Sequence, residues 1–199
     1  MKLKIKILSK SIELFNRDGV TNVSPNKIAE ILKISVGNLT YHFKTKESIL
    51  EAILKQMIID SSDYFEIGEE PTVKDYEKFR LKFIDFQNSY KFFFNDMVFI
   101  ANKYPKIGDG FKKLTIERFK DGRKLIDLFI NVGILKKESE YVNYNLLMHS
   151  IWLVTTFWIT QERTIGFDVK GLDNSSKDVV WSMIYPYLTE KGRKQLEKI

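Results

Sequence analysis

Residues 34–43 read Ile34-Ser35-Val36-Gly37-Asn38-Leu39-Thr40-Tyr41-His42-Phe43, and Lys46-Glu47 follow two residues later. Ser35 is placed to cap a short helix over 35–42. Leu39 and Phe43 are the residues of this stretch that belong in a core. Ser35, Val36, Gly37, Asn38 and Thr40 are small or polar, which suits a helix pressed into the major groove of DNA. Gly37 lets the backbone come close. Asn38 can pair with a base edge or a phosphate. Tyr41 can lay its ring on a thymine methyl or a sugar and send its hydroxyl to a phosphate.

Working outward, Ser24-Pro25 is a side-chain cap followed by the residue best tolerated at a first helical position, and it opens a helix over 25–32 with Ile28, Ala29 and Leu32 inward. Before it, residues 2–18 place Ile5, Leu8, Ile12 and Phe15 at helical spacing among lysines, and Gly19 supplies the stop. After it, Thr45 caps a fourth helix, with Glu47 in its first turn, running through Ile49, Ile53 and Met57 to about Phe65. Short helices this closely spaced must share one small core, for which Leu8, Phe15, Ile28, Ile34, Leu39 and Phe43 are the candidates. A helix pair joined by a turn of about three residues in such a core is helix-turn-helix geometry.

Charge is distributed unevenly. Residues 1–47 hold nine basic and four acidic side chains, a net +5 of the chain's +6. That asymmetry favours a polyanion for the N-terminal part, a solvated lysine-rich surface being the plainer alternative. Lys2, Lys4 and Lys6 read as a solvated or disordered arm. Ser24 and Lys27 start the second helix, and Lys46 starts the fourth, where free N–H groups and the helix dipole favour a phosphate. Ser24 and Ser35 serve as caps, with or without a phosphate contact. His42, beside the core, is either a phosphate donor or a packing residue.

Residues 7–47 resemble the tetracycline-repressor (TetR) family of bacterial regulators. The residues that carry the resemblance are Ile7-Leu8, Leu14-Phe15 and Gly19 for the first helix, Ser24 and Ile28-Ala29 for the second, and Ile34 to Phe43 with Lys46-Glu47 for the recognition helix and the start of the next. The sequence departs from the family pattern at Thr40, where Tyr is usual as a phosphate contact, and at Lys33, where Gly is usual in the turn. The resemblance implies an all-α fold: a three-helix DNA-binding domain over residues 1–47 and a larger helical domain over 48–199 that binds an effector and dimerises. The DNA-binding set expected is Ser24, Lys27, Ser35, Val36, Gly37, Asn38, Thr40, Tyr41, His42 and Lys46.

The rest of the chain reads as helices over 73–88, 90–103, 106–132, 140–163 and 174–196, separated near Pro71, Tyr104-Pro105, 131–133 and 166–174. Gly133 before Ile134-Leu135 looks like a helix C-cap. Phe79, Phe83, Phe86 and Tyr90 step along one helix face; a large core accounts for most of the aromatics. The effector pocket that the resemblance implies would draw on Phe83, Phe86, Tyr90, His149, Trp152 and Thr156. Residues 146–159 are apolar nearly all round, so their helix must be covered on two sides. With a helix near 174–190 carrying Val179, Val180, Ile184 and Leu188, it suggests a four-helix interface in a homodimer, a buried central helix in a monomer being the alternative. A two-fold dimer presents two recognition helices to a palindromic operator.

The chain has no cysteine and only His42 and His149, so neither disulfides nor a metal site is expected, and no cofactor. No apolar stretch is long enough to span a membrane and no signal-peptide core is present, which reads as a cytoplasmic protein. No nucleophile–base pair, phosphate-binding glycine loop or carboxylate pair points to an enzyme. The reading is a sequence-specific transcriptional regulator, a repressor released from its operator by a small hydrophobic effector.

Overall fold

The computed structural model describes residues 2–62, 64, 68–164 and 176–199, the side chains of 162, 163 and 176–178 excepted. In chain order its helices are α1 (Lys2–Asp18), α2 (Pro25–Ile31), α3 (Val36–His42), α4 (Lys46–Asp60), α5 (Val73–Ser89), α6 (Lys91–Asn95), α7 (Met97–Lys103), α8 (Pro105–Asn131), α9 (Tyr144–Thr164), α10 (Ser176–Ile184) and α11 (Glu190–Leu196), with a 3-10 turn at Tyr185–Tyr187. Among the described residues, extended pairing is limited to two isolated bridges, Leu135 with Leu188 and Ser139 with Val142. The fold is all-α. By packing, the chain divides into two compact units, Met1–Ser62 with Phe86–Leu114 and Asp63–Asp85 with Thr115–Ile199.

In the first unit, α1 buries Ile7, Ser11, Leu14 and Phe15. The expected stripe was Ile5, Leu8, Ile12 and Phe15; Leu8 and Ile12 are half-buried, and Ile5 is 60% exposed. Ser11 can sit in the centre of the buried face because its hydroxyl donates to the Ile7 carbonyl at 2.7 Å. Lys4 is not part of a loose arm: it lies in α1, and its ammonium sits over the Phe43 ring, 5.5 Å from the centroid. Phe15, Ile28, Leu39 and Phe43 are buried as expected, joined by Val20, Val23, Ile49, Ile53 and Met57. Ile34 is half-buried.

The turn between α2 and α3 closes with two backbone bonds, Lys33 N–H to the Glu30 carbonyl and Ile34 N–H to the Ala29 carbonyl, both at 3.0 Å. That pattern is a Schellman cap and requires a left-handed residue after the helix. Lys33 holds that place with φ +54°. Gly133 does the same after α8, with φ +73° and Ile134 N–H on the Phe129 carbonyl at 2.8 Å.

Several helices are shorter than their apolar spacing suggests. The expected helix over 90–103 is broken at Asp96, whose carboxylate turns away to accept from Val20 N–H at 3.1 Å. The helix over 140–163 begins only at Tyr144, because Asn143 caps it, accepting from Leu146 N–H at 3.2 Å. The helix over 174–196 is cut by Pro186 into α10, the 3-10 turn and α11. Proline has no N–H to give and its ring clashes with the carbonyl one turn back. The fourth helix closes at Asp60, where the Ser61 hydroxyl takes up the Met57 carbonyl at 2.9 Å. The end expected at Phe65, the loop at 166–174 and the first residues of the last helix lie outside the described residues.

The second unit is built round Val73, Leu125, Phe129, Ile134, Leu135, Tyr144, Val180, Trp181, Ile184 and Leu188. Val180, Ile184 and Leu188, expected to face a second subunit, therefore belong to the unit's own core. The opposite side of α9 stays uncovered: Leu146 is 66% exposed, and Leu153 and Phe157 are exposed too. Beside it a groove is lined by Leu146, Leu147, Ser150, Met183, Pro186 and Tyr187.

Two stability effects follow. Lys33→Gly removes a left-handed side-chain cost of roughly 1–2 kcal/mol and returns part of it as unfolded-state entropy, so the variant is expected to be stabilised by up to about 1 kcal/mol, read as a higher Tm. Gly192→Ala places a Cβ 2.5 Å from the Ile134 carbonyl oxygen, which is backbone and cannot swing away. Urea unfolding is expected to show a loss of about 1–3 kcal/mol.

Candidate nucleic-acid interface

Both helices of the expected reader are capped by the serines that precede them. Ser24 Oγ accepts from Lys27 N–H at 3.2 Å and Ser35 Oγ accepts from Asn38 N–H at 3.1 Å, each serine with extended backbone. Thr45 and Ser48 form a reciprocal capping box at the start of α4. Of the residues of α3, only Leu39 is buried. The helix turns Gly37, Asn38, Thr40 and Tyr41 outward, with Tyr41 84% exposed and Val36 46%. A face this bare, on a rigidly capped helix, is a surface for something else to cover.

The polar groups on that face are not equally available. Thr40 donates its hydroxyl proton to the Val36 carbonyl at 2.8 Å, so it has only acceptor capacity left. The Tyr41 ring meets His42 edge-on at 5.2 Å, and His42 is half-buried. Lys27 Nζ lies 2.9 Å from Asp18, whose carboxyl is held well below its ordinary range by Arg17 first and then Lys27. Lys46 Nζ donates to the Val20 carbonyl at 2.6 Å. Partial burial, and then the charge of Lys103, lowers the pKa of this ammonium. Each ammonium keeps two further N–H groups for an anion.

Apart from Lys46, the residues that hold the reader in place were not among the expected set. Asn16, near the end of α1, donates to the Ser89 carbonyl at 2.8 Å and accepts from Phe92 N–H at 2.9 Å. Val20 is held at both ends, its N–H by Asp96 and its carbonyl by Lys46. These partners are 26 to 76 residues apart in the chain, and no local pattern marks them. Only Asp18, one residue before the Gly19 stop, could have been singled out from sequence, as a helix-end carboxylate among lysines.

The expected pocket residues fall in different places. Phe86 and Tyr90 are buried in the first unit, where the Tyr90 hydroxyl meets Asp60 Oδ2 at the end of α4 at 2.5 Å. Phe83, His149, Trp152 and Thr156 belong to the second unit. There Thr156 is fully buried, whereas His149 is exposed and stacks on Trp152 at 5.9 Å, with Phe119 beside both. Among the described residues no group of His, Asp and Glu gathers as a metal site, and no helix is long and apolar enough to cross a membrane.

Comparison with known proteins agrees with this geometry. Residues 7–53 match the family described as bacterial regulatory proteins of the tetR family, and residues 47–196 match a family described as bacterial transcriptional repressor. The HTH-type transcriptional regulator QacR of Staphylococcus aureus is 28% identical over 146 residues, 72% of this chain and 66% of that protein, so the match spans just under two thirds of the relative. The crystal structure of a TetR-family transcriptional regulator from Marinobacter aquaeolei is 27% identical with a TM-score of 0.87, covering 100% of this chain and 97% of that one. PfmR of Thermus thermophilus, a TetR-family transcriptional regulator, shares the fold at 18% identity, with a TM-score of 0.63 over 89% of this chain and 93% of its own. With both its capped reader and the helices that follow matched, the chain belongs to the TetR family of bacterial transcriptional regulators.

Proposed function

We propose that this protein is a sequence-specific DNA-binding repressor that occupies a palindromic operator as a homodimer and leaves it when a small hydrophobic effector binds. The observation that carries this reading is the outward face of α3, where Val36, Gly37, Asn38 and Tyr41 are exposed on a helix that buries Leu39 alone. In this reading those four carry base preference, while Ser24, Lys27, Ser35, Thr40, His42 and Lys46 position the protein on phosphates. Residues 1–47 form the reader and 48–199 bind the effector and the second subunit. The uncovered side of α9, with Leu146, Leu153 and Phe157, supports dimerisation, because an apolar helix face of this size calls for a partner.

Release requires an effector that binds one conformer better than the other. α4 is the proposed lever, since it begins at Lys46 beside the reader and ends at Asp60 on the Tyr90 hydroxyl. The cytoplasm is the compartment in which such a regulator meets its operator.

Selection of binding sites from random DNA is expected to recover a palindrome; no enrichment, with weak and salt-sensitive binding, would sink the reading. Tyr41→Ala is expected to relax base preference by about 1–3 kcal/mol. Lys46→Ala should weaken all sequences alike and lower the salt slope by about 1, with Tm measured alongside because Lys46 also ties Val20. Leu146→Glu is expected to give a folded monomer by light scattering and to lose operator binding at concentrations where the unaltered protein is saturated. A variant that remains dimeric would move the interface away from α9.

A further inference from the structure

The start of α1 sets lysines where a helix disfavours them. Lys2, Lys4 and Lys6 stand in its first two turns, at the positive end of the helix dipole, and no acidic residue comes before Glu13. Acidic or neutral side chains there would make a more stable helix. A local conflict of this kind is expected where a surface has a task besides folding.

Of these lysines, Lys4 has a contact that fixes its direction. Its ammonium lies over the Phe43 ring, 5.5 Å from the centroid. Phe43 is 4% exposed and closes α3, its N–H on the Leu39 carbonyl at 2.8 Å. A charge from α1 is thereby carried to the residue that ends the reading helix. A ring face attracts a cation without taking one of its hydrogen bonds. Among the described residues Lys4 donates to no oxygen and has no carboxylate partner, so its three N–H groups stay available. Other lysines of the first unit are already engaged: Lys10 on Glu13, Lys27 on Asp18, and Lys46 on the Val20 carbonyl. Lys44, next in the chain after Phe43, is exposed and likewise has no carboxylate partner among the described residues. Positive charge at this end of α3 therefore comes from two segments and is not offset by an ion pair.

We propose that Lys4 binds a phosphate of the DNA backbone, as an anchor that α1 supplies at the opposite end of the reading helix from Ser35. Resting on the regulator reading above, the contact lies outside the helix-turn-helix pair and outside the set named there. A lysine ammonium is a point charge with rotatable donors, which suits a phosphate oxygen and reads no base pattern. Its seat on Phe43 holds the side chain near one geometry before DNA arrives, so less freedom is lost on binding.

The test measures binding of the full-length protein to two duplexes of equal length, the palindrome recovered by selection and an unrelated sequence, from about 50 to about 200 mM salt. Lys4→Met keeps an apolar stem over Phe43 and removes the charge. It is expected to bind both duplexes roughly five- to tenfold more weakly at about 0.1 M salt, with the salt slope lowered by about 0.9 per subunit. Its Tm should be no lower than that of the unaltered protein, since a charge opposed to the helix dipole has gone. Lys4→Arg keeps the charge and should hold the slope. Lys55→Met removes an equal charge from an exposed position on α4, about 13 Å along that helix from Lys46, and should leave the slope where it was. An unchanged slope in Lys4→Met, an equal fall in Lys55→Met, or a loss confined to the palindrome overturns the proposal. Lys4→Gln serves if Lys4→Met fails to fold. A selected palindrome with an unchanged slope removes this inference and leaves the regulator standing; if the unaltered protein selects no site, the regulator reading falls and this inference with it.

Discussion

A seven-residue helix cannot persist in water by its own hydrogen bonds. That constraint governs the first unit, because α3 is such a helix and buries only Leu39. Its direction has to be imposed from outside, by the Ser35 cap, by α2 across the Lys33 turn and by the core beneath. The turn that feeds α2 is fixed in its turn by Val20, gripped at its N–H by Asp96 and at its carbonyl by Lys46. Asn16 ties the last turn of α1 to the start of α6 with a donor and an acceptor at once. The bare outer face of α3 is tolerable because everything behind it is specified.

The short-range part of this arrangement could be read from the sequence. Ser24, Ser35, Thr45 and Gly133 announce their caps because each acts on backbone three to five residues away. The all-helical fold and the boundaries of α1, α2 and α3 followed from the same local logic. What could not be read is what depends on distant chain. Asp96 breaks a helix for the sake of Val20, and Asn16 works across more than 70 residues. In α1 the apolar residues are too many for one face, so spacing alone permitted two stripes; the buried one runs through Ser11, a residue that reads as polar until its bond to Ile7 is seen.

The interface and pocket residues divide in the same way. Exposure of Val36, Gly37, Asn38 and Tyr41 followed from residue type, since none of them is needed by a core that Leu39 and Phe43 already serve. The roles of Lys27 and Lys46 inside the protein did not, because their partners Asp18 and Val20 are brought to them only by the fold. His149 shares a helix with Thr156, yet one is exposed and the other fully buried. In an amphipathic helix the polar face announces the outside; in α9, apolar on two sides, nothing in the spacing says which side the unit keeps for itself.

The two lysines nearest the reader differ in what surrounds their charge. Lys27 already shares Asp18 with Arg17, whereas Lys46 leans on a neutral carbonyl. The charge of Lys27 is therefore partly offset at contact distance, whereas that of Lys46 is not. Dissolved salt screens an uncompensated surface charge more than one already paired at contact distance. The lysine with the less compensated charge is thus also the one that holds the turn before α2, so a single side chain joins the electrostatics of this surface to the placement of its backbone.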